Sequence, residues 1–112
     1  MYNITIENNE VYSNSDKNTG AGIMFSRNMV NSIARNNNVH HEAAAAISIS
    51  QSNNNQIYNN TISNSVDGIN LKNSSKNKIH DNTFINSTNG IDASAAGRSG
   101  NLIYNNHLIN SP

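Results

Sequence analysis

The chain has no cysteine and no tryptophan, and its one proline is the last residue. Without cysteine there are no disulfides and no thiolate metal sites, although the compartment stays open. Charge is scarce too: 12% of residues, with seven basic and seven acidic side chains in balance. That neutrality argues against nucleic acid, which calls for a basic stripe. No apolar run reaches the ~18 residues of a membrane span. The first residues, Met1 to Ile6, lack the basic and apolar regions of a signal peptide. With 112 residues, 35% of them apolar, there is room for one domain (1–112) but not for a thick core.

Mean hydropathy is −0.63. A value this low accompanies disorder when net charge is high or Pro, Lys and Glu abound, and none of those conditions holds. What the chain has instead is asparagine, 26 residues of it. Asn-rich chains are either low-complexity tracts or solenoids with Asn in their turns, and periodicity separates the two.

The pattern Ile-x-x-Asn-x-Ile begins at Ile6, Ala34, Ile57, Ile79 and Ile103, with its Asn at Asn9, Asn37, Asn60, Asn82 and Asn106. The intervals are 28, 23, 22 and 24 residues. A second pattern lies between these: Gly22-Ile23-Met24-Phe25, Ala46-Ile47-Ser48-Ile49, Gly68-Ile69-Asn70-Leu71 and Gly90-Ile91-Asp92-Ala93, spaced 24, 22 and 22. Two independent markers sharing one period identify an all-β fold, a right-handed parallel β-helix of about four and a half coils of 22–24 residues. Strand alternation turns the Ile positions inward. Four core columns follow: Ile6/Ala34/Ile57/Ile79/Ile103, Val11/Val39/Ile62/Phe84/Leu108, Ile23/Ile47/Ile69/Ile91 and Phe25/Ile49/Leu71/Ala93.

The shared Asn residues form a ladder that satisfies turn amides. His41, Asn64, Asn86 and Asn110 mark a second bend. The first coil is longer, and its extra residues form a polar loop over Ser13–Ala21. Met1 enters a coil directly, Pro112 ends mid-coil, and neither end has a capping helix. The expectation is a piece of a longer solenoid, or end-to-end self-association.

The run Ile4 to Tyr12, then Gly22-Ile23-Met24-Phe25-Ser26-Arg27, Asn31-Ser32 and Asn36 to His40, resembles the mannuronan (alginate) C5-epimerases. The likeness continues through Asp67 to Leu71 and thins after Asn82, so it covers roughly the first three coils. The family's fold is a right-handed parallel β-helix. Its reaction inverts C5 of uronate residues within a polymer: a base takes the C5 proton while a cation neutralises the carboxylate. The resemblance gives the neutralising role to Arg27, a guanidinium able to grip a carboxylate bidentately, and aligns His40 with a family His as a proton-transfer or sugar-contact residue. It implies an acidic polysaccharide as partner and an extracellular, cell-surface or periplasmic location. The family's base lies in an Asp-Pro-His motif that this sequence lacks, so the resemblance does not imply activity by this chain alone. The Asn/Ile background is shared with other β-helix proteins, including the copper-site accessory protein NosD. A non-catalytic carbohydrate-binding or structural β-helix of that kind is the alternative.

Outward positions on the Gly-Ile strands form a polar row, Met24, Ser48, Asn70 and Asp92, with Arg27, Gln51, Lys72 and Asn73 just beyond. Arg27, Gln51, Asn70 and Lys72 are the candidate sugar-binding residues. A solvated face has the same composition. His40 and His41 are adjacent, so on a strand they face opposite ways and make no metal pair. His80 and His107 have no Cys, Asp or Glu cluster around them, and no metal is expected. No phosphate-binding Gly-rich loop or nucleophile–base–acid triad is visible, and no cofactor is expected. Tyr12 reads as a packed turn aromatic and Glu42 as a solvated bend residue.

Overall fold

The computed structural model describes residues 3–14, 20–95 and 100–112. These residues form fourteen short strands and no helix. The first sheet contains β1 (Thr5–Glu7), β4 (Ile33–Arg35), β7 (Gln56–Tyr58), β10 (Lys78–His80) and β13 (Leu102–Tyr104). The second contains β2 (Glu10–Tyr12), β5 (Asn38–His40), β8 (Thr61–Ser63), β11 (Thr83–Ile85) and β14 (His107–Ile109). The third contains β3 (Ala21–Ser26), β6 (Ala45–Ser50), β9 (Asp67–Lys72) and β12 (Asn89–Ala95). All pairings are parallel, and each strand pairs with its counterpart one coil away. The result is a β-solenoid of four coils plus the first two strands of a fifth.

The inward columns stack in the expected register. Ile6, Ala34, Ile57, Ile79 and Ile103 align through the first sheet. Val11, Val39, Ile62, Phe84 and Leu108 align through the second, and Ile23, Ile47, Ile69 and Ile91 through the third. Phe25, Ile49 and Leu71 continue the fourth column, fully buried. Ala93 does not join it. A register shift between Asp92 and Ala95 breaks the pairing with β9 and leaves Ala93 exposed. The cause is local: Asp92 Oδ1 accepts from the Ser94 N–H (2.9 Å) and Oγ–H (2.6 Å), a side-chain turn that competes with the sheet.

Asparagine explains why the strands stay short. Among the described residues, eighteen non-glycine positions, twelve of them Asn, have φ between 47° and 66°. This left-handed region is costly for most side chains and least so for Asn and Asp. The positions recur as corners: Asn8/Asn36/Asn59/Asp81/Asn105 between the first and second sheets, Ser13/His41/Asn64/Asn86/Asn110 after the second, and Asn28/Gln51/Asn73 after the third.

The ladder residue is the one after the first of these bends. Asn60 Oδ1 accepts from the Asn37 N–H and Nδ2–H, both at 3.0 Å. Asn82 Oδ1 does the same for Asn60, and Asn106 Oδ1 for Asn82. Each Nδ2 also donates to a main-chain carbonyl, as Asn60 does to Ala34 (3.0 Å). Bending and satisfying are thus divided between adjacent residues.

A further ladder, Ser32/Asn55/Asn77/Asn101, closes the corner before the first sheet. Its signal was in the sequence, since each member precedes a residue of the first ladder by the same offset. The small column Gly22/Ala46/Gly68/Gly90 makes room for the core: a Cβ on Gly68 would run into the Gly90 carbonyl and the Phe84 ring. The loop expected over Ser13–Ala21 lies mostly at 15–19, outside the described residues. At its edges, Ser13 is a left-handed bend and Ala21 opens β3.

Candidate functional site

The corner after the third sheet gathers most of the candidate sugar-binding residues. Ser26 pairs with Ser50. The Met29 N–H donates to Ser52 Oγ (3.2 Å), as the Ser52 N–H does to Ser74 Oγ (3.1 Å). Arg27 and Asn28 therefore stand where the second coil has only Gln51. The Asn28 N–H donates to the Gln51 carbonyl (2.8 Å) and the Gln51 N–H to the Lys72 carbonyl (3.0 Å). Two left-handed residues, Arg27 and Asn28, thus turn the corner that Gln51 and Asn73 each turn singly, so the first coil carries one extra residue here. Both Arg27 and Asn28 are left-handed, with φ of 57° and 66°. A one-residue insertion of this kind re-aims a side chain at a sheet edge, and Arg27 is exposed there.

A cavity of about 450 Å³ at this corner is lined by Asn28, Gln51, Asn53 and Asn73. Asn53 is held in place, its Oδ1 accepting from the Ser75 N–H (2.8 Å) and Oγ–H (3.1 Å). Lys72, exposed, ends β9 beside this corner. Asn70 sits two residues back on the same outward face, where its Nδ2 donates to Asp67 Oδ2 (3.3 Å). The lining is all amide, with two cations beside it. Such a surface can exchange hydrogen bonds with hydroxyls and attract a carboxylate, but the lining offers no imidazole or carboxylate as a base.

His40 is elsewhere. It ends β5 on the outer face of the second sheet, and the six-residue strands of the third sheet separate that corner from the one holding Arg27. Its ring stacks on Tyr12 at 5.0 Å and 9°, and Nε2 lies 3.0 Å from Glu10 Oε2. Tyr12, expected to be packed at a turn, is 54% exposed and forms one wall of this stack.

Two expectations are corrected here. His40 and His41 do not face opposite ways, because the strand stops at His40 and His41 adopts φ 55°. The turn brings their Nδ1 atoms within 2.7 Å. Glu42 is not solvated but buried, its Oε2 accepting from the Asn14 N–H (2.9 Å). It occupies a corner position filled in the next coil by Ser65, whose Oγ accepts from the Glu42 N–H (3.2 Å).

The outer face of the first sheet carries a row that sequence reasoning missed. Tyr58, His80 and Tyr104 stack face to face at 5.0 and 4.8 Å, within 7° of parallel. Upstream in the same row, Arg35 donates to the Tyr58 hydroxyl (3.0 Å) and to Glu7 Oε2 (2.7 Å). These bonds, to Tyr58 first, hold the guanidinium above its usual pKa. Each aromatic member follows an inward Ile by one residue, and that recurrence was readable in the sequence. Among the described residues no group of three or more His, Cys, Asp or Glu converges as a metal cage.

The family model described as periplasmic copper-binding protein (NosD) matches residues 1–112. The chain belongs to this NosD family. No curated protein and no solved structure matches it. Whole-length membership agrees with the coil-by-coil register, which runs through all five ladder residues without a break.

Proposed function

We propose that the chain is a non-catalytic β-helix module of the NosD family that binds an extended acidic polysaccharide, in the periplasm, along the corner after its third sheet. The observation that carries this reading is the extra residue at the Arg27–Asn28 corner, which presents an exposed arginine there. A non-glycine residue in the left-handed region stores strain of about 1–2 kcal/mol, and fold maintenance alone does not call for two of them in succession, since the second and third coils turn the same corner with one, Gln51 or Asn73. The amide lining suits sugar hydroxyls, and Arg27 and Lys72 suit carboxylates. Solenoid coils repeat about every 4.8 Å, so a polymer lying along the axis meets an amide in each of three coils, Asn28, Gln51 and Asn73. Turnover is not expected, because the lining supplies no base.

Calorimetric titration with uronate and neutral oligosaccharides of equal length tests the reading. Uronates bind better, and Arg27→Ala with Lys72→Ala weakens them roughly three- to tenfold, the worth of two exposed ion pairs. Lys78→Ala, on the outer face of the first sheet, changes nothing. Equal binding of neutral and acidic oligomers, or indifference to the double substitution, overturns it.

The family description supports a second reading, copper handling, and one observation favours it: the facing Nδ1 atoms of His40 and His41. The residues do not fit a four-coordinate ion, which needs a larger cage.

A further inference from the structure

We propose that the corner after the second sheet binds the ammonium group of an amino sugar, with His41 as its fixed hydrogen-bond acceptor. The site stands apart from the polysaccharide corner after the third sheet and takes a ligand of opposite charge.

A cavity of about 490 Å³ lies at this corner, within the range of small-ligand sites. His41, Asn64 and Asn86, successive members of one left-handed bend column, line it. Asn64, Asn86 and Asn110 make the same bend in the next three coils, so the fold does not call for an imidazole at His41.

The hydrogen bonds decide what that imidazole offers. The ionised Glu10 carboxylate can only accept, so His40 Nε2, 3.0 Å away, carries the proton between them. A neutral His40 then has a bare lone pair at Nδ1. His41 Nδ1 lies 2.7 Å from it and donates. With its proton at Nδ1, a neutral His41 keeps a lone pair at Nε2, on the ring edge away from His40. The chain from Glu10 through His40 to His41 therefore makes His41 an acceptor. Tyr12, stacked on His40 at 5.0 Å and 9°, holds the middle ring in its plane.

The rest of the lining has the same sense. Asn86 Oδ1 accepts from Asn110 Nδ2 (3.2 Å) and has a second lone pair left. Asn64 can turn its own Oδ1 toward the cavity. An ammonium brings three donors and no acceptor, matching His41 Nε2 and the two amide oxygens. Glu42 is buried in the wall, its Oε2 bonded by the Asn14 N–H (2.9 Å), so it adds negative potential rather than a contact. Among the described residues no lysine or arginine lines this cavity. Val66, 44% exposed, and the Thr88 methyl supply an apolar patch beside the acceptors. That patch suits the C–H face of a sugar ring, which a linear amine lacks.

The next coil suggests fold-preserving variants. His41→Asn keeps the bend that Asn64 makes, and His40→Ser installs the residue that Ser63 places in register. The test is calorimetric titration of the 112-residue protein, at neutral pH, with a glucosamine tetramer, its N-acetylated counterpart and spermidine. The glucosamine tetramer binds, and the other two bind far more weakly. His41→Asn weakens it about tenfold, the worth of one hydrogen bond to a charged group. Arg27→Ala with Lys72→Ala does not weaken it, which separates this site from the uronate corner. Nitrogen NMR of the imidazoles reads the positioning role of His40. Wild-type His41 is protonated at Nδ1, and in His40→Ser it shifts toward the Nε2-protonated form as binding weakens. A wild-type His41 protonated at Nε2 overturns the acceptor assignment. No binding of the glucosamine tetramer, or undiminished binding by His41→Asn, overturns the site. Equal binding of the N-acetylated tetramer overturns the ammonium, and equal binding of spermidine overturns the sugar.

Discussion

Two corners of the same coil meet one geometric demand in different ways. Between the first and second sheets the bend is left-handed at Asn8, Asn36, Asn59, Asp81 and Asn105, and the following Asn turns inward and bonds its neighbours. After the third sheet the bend is also left-handed, but the inward position is Ser52 or Ser74, whose hydroxyl caps one N–H and donates to a nearby carbonyl. The Asn60 amide joins four groups where the Ser74 hydroxyl joins two. The first corner is therefore uniform and closed. The second has a lighter internal requirement, and its outward residues vary: Arg27, Asn28, Gln51, Asn73. Stability is concentrated at one corner and chemical variety at the other.

The largest effect that tests this contrast comes from Asn60→Ala. It orphans the buried Asn37 N–H and Nδ2–H and the Ala34 carbonyl. Each unsatisfied buried group costs about 1–3 kcal/mol, so a loss of roughly 3 kcal/mol or more in urea unfolding is expected. Ser74→Ala orphans the Ser52 N–H and releases the Lys72 carbonyl, for about 1–2 kcal/mol. If the serine substitution costs as much as the asparagine one, the corners do not differ as described.

A smaller effect of opposite sign is expected at Arg27. Arg27→Gly relieves the left-handed strain of one of the two residues at this corner and raises stability by up to about 1 kcal/mol. Gain in stability with loss of uronate binding is the usual pattern of a strained functional residue. A destabilised Arg27→Gly would mean that the arginine supports the fold.

Much of this was legible in the sequence, and the reason is the period. Each of the four columns was readable from Ile, Val and Leu recurring at 22 to 28 residues, because a solenoid converts sequence period directly into contact. The Asn ladder was legible for the same reason. Four features were not. The insertion at Arg27 was hidden because a single residue shifts the register by less than the spread in coil length. The His40–His41 geometry was misread because strand alternation was applied one residue past the strand's end. Glu42 was taken for solvated because nothing in one sequence shows that a carboxylate sits in a column otherwise capped by serine. The end of the fourth column was likewise obscured, since Ala93 fits the apolar pattern and only the Asp92–Ser94 turn removes it.

That turn carries the smallest effect. It sits where the third sheet's regular register stops, in the fourth coil, between Asp92 and Ala95. Hydrogen bonds from Ser94, the hydroxyl first and then the N–H, hold the Asp92 carboxyl below its ordinary pKa, aided by Lys72 and opposed by partial burial. A carboxyl whose folded-state pKa is depressed stabilises the fold above its unfolded value, and the contribution disappears as pH falls through the folded one. The turn therefore weakens only in acid, below the ordinary carboxylate range. At this solvated site the whole effect stays below about half a kcal/mol. Carboxyl NMR titration reads it directly. Asp92 titrates low in the wild type, and Ser94→Ala moves it back toward the ordinary range while the ladder amides stay unperturbed. An Asp92 that titrates normally in the wild type would mean that the turn does not hold in solution, leaving Ala93 able to pair with Leu71.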